Sequence, residues 1–249
     1  MSGDNMIARE SDIPYFRQLL GIIETDINNG VYRTGDKLPS ESKLCERYGV
    51  SRMTVRQALN LLQQKDLVYS VHGKGTFIKL PELNHELSRV VSFEKILDTS
   101  GIKGLTRVLE FDTGVTNLSA SNALGNSYFN LFLLGFAKET PVVYYESFIR
   151  NDMKAKVYAE AKSMEMSQRA FSTYDIYGRL GKKIDRIDQK LHAISADRHM
   201  LKLFRQSGEQ LVLIKMDSIY YDENGSPMEY KIAYYRADVY SFELKRELE

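Results

Sequence analysis

The most constraining feature of this 249-residue sequence is a pair of short helix patterns separated by a turn of three residues. The first runs from Glu41 to about Tyr48. Ser40 is placed to cap it, and Glu41 lies near its positive N-terminal end. Gly49 closes that helix and Ser51 caps the next, Arg52 to about Lys65, where Val55, Leu59 and Leu62 recur at helical spacing. Two helices joined this tightly, with a glycine in the turn, form a helix-turn-helix. The second helix of such a pair lies in the DNA major groove and presents its N-terminal residues to the bases.

The flanking segments complete that unit. Pro14 to Asn29 carries Phe16, Leu19, Leu20, Ile22, Ile23 and Ile27 as an apolar helical stripe, with Pro14 suited to the first turn and Gly30 to the stop. Gly35-Asp36 and Pro39 then interrupt helix formation. After the pair, Leu67 to Val71 and Thr76 to Leu80 are β-prone runs joined by His72-Gly-Lys-Gly75, which predicts a hairpin, the wing. Its glycines permit the positive φ of a tight turn and a close approach to a phosphate, and Lys74 adds charge.

Formal net charge is only +1, so nucleic-acid binding has to rest on a local patch. Between Lys43 and Lys79 seven basic residues stand with two acids, Glu46 and Asp66. Charge alone leaves a solvated face equally open. The single cysteine, Cys45, excludes an internal disulfide framework and a multi-cysteine zinc site, and a reducing cytoplasm is expected. No apolar run approaches the roughly 18 residues of a membrane span, and the first residues lack the apolar core of a signal peptide.

From Pro81 to about Leu87 the chain is polar and reads as a linker. The remainder holds twelve of the sixteen tyrosines. Val142 to Ile149, Ile184 to Ile194, Leu211 to Tyr221 and Met228 to Tyr235 read as strands, with Asp222-Glu-Asn-Gly225 turning between the last two. Ala196 to Phe204 reads as a helix. The expected fold class is α+β: a winged helix-turn-helix over residues 12–80, a linker over 81–87, and an antiparallel sheet with helices on one side over 88–249.

Three blocks carry a family resemblance: Gly35-Asp-Lys-Leu-Pro-Ser-Glu41, Tyr48-Gly-Val-Ser-Arg-Met-Thr-Val-Arg-Gln-Ala-Leu59 and His72-Gly-Lys-Gly-Thr-Phe77. In that order and spacing they resemble the winged helix of GntR-family transcription regulators. Ser172-Thr-Tyr174, Asn224-Gly-Ser-Pro-Met-Glu229 and Tyr235-Arg-Ala-Asp238 resemble the UTRA effector domain of the HutC subfamily, with its chorismate-lyase-like fold. The resemblance implies a homodimer, paired through the C-terminal domain, that binds a palindromic operator. It also implies repression controlled by a small metabolite, in the cytoplasm and on the nucleoid when bound.

Arg52 and Arg56, four apart on one helix face, can reach guanine edges or phosphates. Thr54 and Ser51 suit phosphate contacts, and for Ser51 capping alone is a sufficient role. Met53 fits an apolar base contact or plain exposure. Lys43, where the family often has an arginine one place earlier, supplies a point charge for a phosphate. In the wing, His72, Gly73, Lys74, Gly75 and Thr76 match the family's groove-contacting block, while Phe77 reads as core. For the effector the resemblance points to Ser92, Ser172, Tyr174, Glu229 and Tyr235, with Glu146 a looser candidate; packing and capping are the competing roles. Sugar-phosphate-binding relatives carry two arginines where this chain reads Leu133-Leu-Gly-Phe136.

Nothing in the sequence supports an enzyme. There is no phosphate-binding glycine loop, metal-ligand cluster or nucleophile elbow, and the four histidines are scattered, so no catalytic residue, metal or cofactor is assigned. A protein-binding winged helix fits poorly with so basic a surface, since the cores of protein interfaces are depleted in charge.

Overall fold

The computed structural model describes residues 6–32, 35–71, 73–79, 82–206 and 210–245, and the chain divides into two compact units, Met1–Pro81 and Glu82–Glu249. The first contains α1 (Tyr15–Asn28), α2 (Glu41–Tyr48), α3 (Arg52–Gln64), β1 (Val68–Val71) and β2 (Gly75–Ile78). Ser40 and Ser51 each accept a backbone N–H of the helix they precede, from Lys43 and Thr54. Gly49 ends α2 in the left-handed region at φ 63°, donating its N–H to the Cys45 carbonyl, which is what makes so short a turn possible.

The apolar stripes of the three helices meet in one core. Leu19 and Ile23 of α1, Leu44 of α2, Val55, Ala58 and Leu62 of α3, and Val68 and Ile78 of the hairpin are all buried. Each of the leucine, isoleucine and valine side chains contributes about 1.5–3 kcal/mol. β1 and β2 pair antiparallel from Val68↔Ile78 to Val71↔Gly75, and Lys37 bridges to Phe77 on the outer side. Phe77, expected in the core, is instead half-buried and stacked on Tyr69 at 5.6 Å. It lies on the hairpin face that leaves Tyr69 exposed, opposite Val68 and Ile78.

The second unit contains β3 (Leu83–Glu86), α4 (Phe93–Thr99), β4 (Gly104–Phe111), α5 (Leu118–Leu124), β5 (Tyr128–Ala137), β6 (Thr140–Arg150), α6 (Lys154–Met166), α7 (Thr173–Arg179), β7 (Ile184–Ser195), α8 (Arg198–Leu203), β8 (Val212–Asp222), β9 (Pro227–Arg236) and β10 (Tyr240–Glu243). Six strands form one antiparallel sheet in the order β4-β5-β6-β9-β8-β7.

Helices cover both faces of that sheet, not one as expected. On one face Phe132, Leu134 and Phe136 of β5, with Tyr144 and Phe148 of β6, pack with Ala120 of α5 and Met200 of α8. On the other, the Thr106 hydroxyl of β4 donates to the Phe171 carbonyl, and Thr173 of α7 donates to Glu229 of β9. Tyr158 of α6 meets Phe111 with ring centroids 4.4 Å apart. The linker reading over 81–87 is also corrected. Leu83–Glu86 is a strand paired in parallel with Tyr240–Glu243, and Leu83 is fully buried. Its polar alternation is that of a two-stranded ribbon with one wet face.

Candidate functional site

Each unit carries its own candidate site. In the first, α3 begins at Arg52 because Ser51 caps it; the Ser51 hydroxyl takes the Thr54 N–H at 3.1 Å and lies 2.9 Å from the Thr54 hydroxyl. Arg52, Met53 and Arg56 are exposed at the same end, Met53 at 71%. Arg56 is held in place: its Nε donates to both carboxylate oxygens of Glu41, at 3.2 and 3.0 Å. Lys65 pairs with Glu24 and Lys79 with Asp66. Among the described residues, Lys43, Arg47, Arg52 and Lys74 of this patch have no ion-pair partner; Arg47 is taken up by the Tyr32 hydroxyl and the Tyr48 ring, which leaves Lys43, Arg52 and Lys74 to meet an anion. In the wing, Lys74 is exposed between Gly73 at φ 72° and Gly75 at φ 121°. The positive φ of Gly75 is what the turn requires; a Cβ there would meet only the end of the exposed Lys37 side chain, 2.7 Å from its Cε, which can swing away. Thr76 is half-buried, its hydroxyl 3.2 Å from that of Ser70. His72 lies outside the described residues.

In the second unit a cavity of about 290 Å³ opens over the sheet face that carries Tyr145, Lys231, Ser218 and Gln189. The register sets these side by side, since Ser218 pairs with both Lys231 and Gln189, and Tyr145 pairs with Ala233. Residues His85 to Val91 and the start of α7 form its walls. A volume of this size is at the small end of ligand sites.

Of the expected effector residues, the fold brings Ser172, Tyr174 and Tyr235 to this cavity. Ser92 caps α4 and lines an adjoining pocket of about 390 Å³ that shares Tyr174. Glu229 is fully buried; its Oε1 accepts from Thr173 and lies 3.6 Å from Lys231 Nζ, and its Oε2 has no hydrogen-bond partner among the described residues. Glu146 is not brought there. It follows Tyr145 on β6, so strand alternation sends it to the opposite face, where it accepts from the Tyr234 hydroxyl at 3.4 Å and burial raises its pKa.

Lys231 was missed by sequence reasoning and is the cation of the cavity floor. Only 4% exposed, it donates to the Tyr220 hydroxyl at 3.0 Å and lies 4.3 Å from the centre of that ring. Burial opposes its charge, but Glu229 and Tyr220 more than offset this and its pKa is raised. The signal was present in Pro227-Met-Glu-Tyr-Lys-Ile: two charges two apart in an apolar strand share one face, and opposite charges there should neutralise one another. Arg89 and Arg186 stand higher on the walls, engaged by Glu86 at 2.5 Å and Asp188 at 3.2 Å. His85 is half-buried against Tyr235 and Phe242, and desolvation lowers its pKa to about 4.

The positions where sugar-phosphate-binding relatives carry arginines are filled with apolar groups. Leu133 is fully buried, and a Cβ on Gly135 would lie 2.6 Å from Phe93 Cε1 and 2.7 Å from Val143 Cγ1. An arginine at that place would displace α4. The cavity as built offers tyrosine rings, hydroxyls, one amide and a neutralised buried lysine, which together suit a small polar molecule.

Comparison with known proteins follows these two units. The model for bacterial regulatory proteins of the gntR family matches residues 17–78, and the UTRA domain model matches residues 101–241. The HTH-type transcriptional repressor NagR of Bacillus subtilis (strain 168) is 28% identical over 242 residues, covering 95% of this chain and 96% of that one. The histidine utilization repressor of Klebsiella aerogenes is 28% identical over 138 residues, 54% of this chain and 57% of its own. Among solved structures, PhnF from Mycobacterium smegmatis has a TM-score of 0.59 at 19% identity, covering 91% of this chain and 99% of that one. The regulator YydK from Bacillus subtilis has 0.53 at 22%, covering 94% and 100%. At such identities the two structures speak to the fold alone.

Proposed function

This chain belongs to the GntR family of bacterial regulatory proteins, in its HutC-like form with a C-terminal UTRA domain, and from that premise we propose how its two units divide the work of a metabolite-controlled repressor. It is a DNA-binding transcription regulator and not an enzyme. Residues 12–80 read the operator, and residues 82–249 bind the effector and join two copies into a homodimer. The protein acts in the cytoplasm, on the nucleoid when bound to its operator.

The observation that carries this reading is the exposed N-terminal end of α3, where Arg52 has no ion-pair partner among the described residues and Arg56 is oriented by Glu41. A guanidinium in that position can grip guanine O6 and N7 together. Lys43, Ser51 and Thr54 contact phosphates, and Gly73, Lys74, Gly75 and Thr76, with His72, form the wing's contact with the backbone.

Ser172, Tyr174, Tyr235 and Lys231 hold the effector, with Ser92 at its margin. Control follows from chain order. The cavity wall starts at His85, only a few residues beyond the boundary at Pro81, and β3 fixes that stretch against β10. A ligand that resets His85 to Arg89 acts on the chain as it enters the winged helix. In a dimer the two recognition helices must meet major grooves about 34 Å apart, so a small change there releases the operator.

A salt titration tests the DNA assignment. With Lys43, Arg52, Arg56 and Lys74 engaged on each protomer, operator affinity falls steeply with salt, with a log–log slope of roughly −0.9 per phosphate contact. A flat salt dependence contradicts it.

A further inference from the structure

The floor of the cavity in the second unit is balanced in charge but not in hydrogen bonds. Lys231 of β9 shares its charge with Glu229, yet Glu229 Oε1 stands 3.6 Å from its Nζ, beyond hydrogen-bond reach. Among the described residues the ammonium makes one hydrogen bond, to the Tyr220 hydroxyl at 3.0 Å. Tyr220 therefore accepts, and its own O–H has no acceptor among the described residues. Ser218 is in the same position, since its hydroxyl accepts from Gln189 Nε2 at 3.2 Å and donates to no described group. Ser218 pairs with Lys231 across β8 and β9, and Tyr220 lies two residues further along β8, so the three groups share one face. All three line the cavity and are more than nine-tenths buried. Buried donors without acceptors are costly, and three of them on one floor make a seat for a ligand's oxygens.

We propose that the effector of this cavity is a small organic carboxylate, whose two oxygens accept from Lys231 Nζ and from the hydroxyls of Tyr220 and Ser218. This rests on the reading of the cavity as the effector site and names the chemistry of its ligand. A carboxylate brings acceptors only, enough for all three donors. An amide or an alcohol adds donors where donors are already in excess. A phosphate dianion supplies acceptors, but it sets two charges against a floor whose one ammonium is already shared with buried Glu229. The single charge of a carboxylate is the smaller demand, and Arg89 and Arg186 line the same cavity. At about 290 Å³ the space admits only a small molecule.

The test is isothermal titration calorimetry on the full chain, at constant pH and ionic strength. The probes are three matched pairs, acetate and acetamide, lactate and lactamide, benzoate and benzamide, together with inorganic phosphate. At least one carboxylate binds roughly tenfold or more tightly than its amide and than phosphate, because hydrogen bonds to a charged acceptor are the stronger kind. Ser218→Ala and Tyr220→Phe each remove one hydroxyl donor and weaken that carboxylate by roughly tenfold, with circular dichroism verifying that both variants fold. Ser218→Ala leaves the contact between Lys231 and Tyr220 intact, so the test does not hang on the variant that disturbs it. An amide or phosphate that binds more tightly than every carboxylate, and weakens in the same variants, overturns the carboxylate and keeps the cavity as the effector site. If no probe has an affinity that responds to either variant, the ligand class and the site are both overturned.

Discussion

At the scale of single residues, His85 ties folding to pH. It is half-buried between Tyr235 and Phe242, with Nδ1 lacking a hydrogen-bond partner among the described residues, and desolvation lowers its pKa to about 4, against about 6.5 for an exposed imidazole. Above pH 6.5 the side chain is neutral in both folded and unfolded chains and costs nothing. Between 6.5 and 4 the unfolded chain binds a proton that the folded one does not, so stability falls as pH falls, by up to about 1.4 kcal/mol per unit from this group. Urea unfolding at pH 7.5 and 5.0, wild type against His85→Gln, isolates it: the variant loses less stability over that interval. Equal losses would show that His85 protonates without hindrance in the folded protein. Lys231 behaves in the opposite way, since its buried charge is sustained by Glu229 and Tyr220 and it stays protonated across this range.

At the scale of elements, the close approach of α4 to β5 decides what the cavity can hold. Gly135→Ala puts a Cβ against Phe93 and Val143, both well inside contact distance, and neither neighbour is free to withdraw. Overpacking of this kind costs about 1–3 kcal/mol, read as a lower urea midpoint with unchanged slope; an unaltered midpoint would mean that α4 does not rest on β5. The same elements mark where the sequence was legible. β8, with its alternating pattern, and β7, exposed along both faces, were placed within a residue or so, and the helix-turn-helix was framed by its caps. β5 escaped because it is buried on both faces, so Phe129 to Ala137 lacks the alternation that announces a strand. β3 escaped because its partner β10 lies at the far end of the chain, and a leucine followed by three polar residues carries no sign of a distant parallel neighbour. Glu146 was only a looser candidate beside the residues that the resemblance pointed to, and counting from Tyr145 along the strand sends it to the face opposite the cavity.

At the scale of the whole molecule, two independently cored units share one chain, and the route between them in sequence runs through the cavity wall at His85 to Arg89. The winged helix was the more legible half because its contacts are local: caps, turn glycines and a hairpin within 70 residues of one another. The effector half was less so, because its site gathers residues from β3, β6, α7, β7, β8 and β9, and only register tells which of them face the same way. In the proposed function, the first turn of α3 is the element that reads DNA. The most direct test is fluorescence anisotropy with a fragment from upstream of the protein's own gene, wild type against the double variant Arg52→Ala/Arg56→Ala. The account predicts nanomolar binding by wild type and a loss of about 2 kcal/mol, roughly thirtyfold, or more in the variant, with binding to random DNA reduced far less. Equal affinity of both proteins for that fragment, at a level well above random DNA, would contradict it.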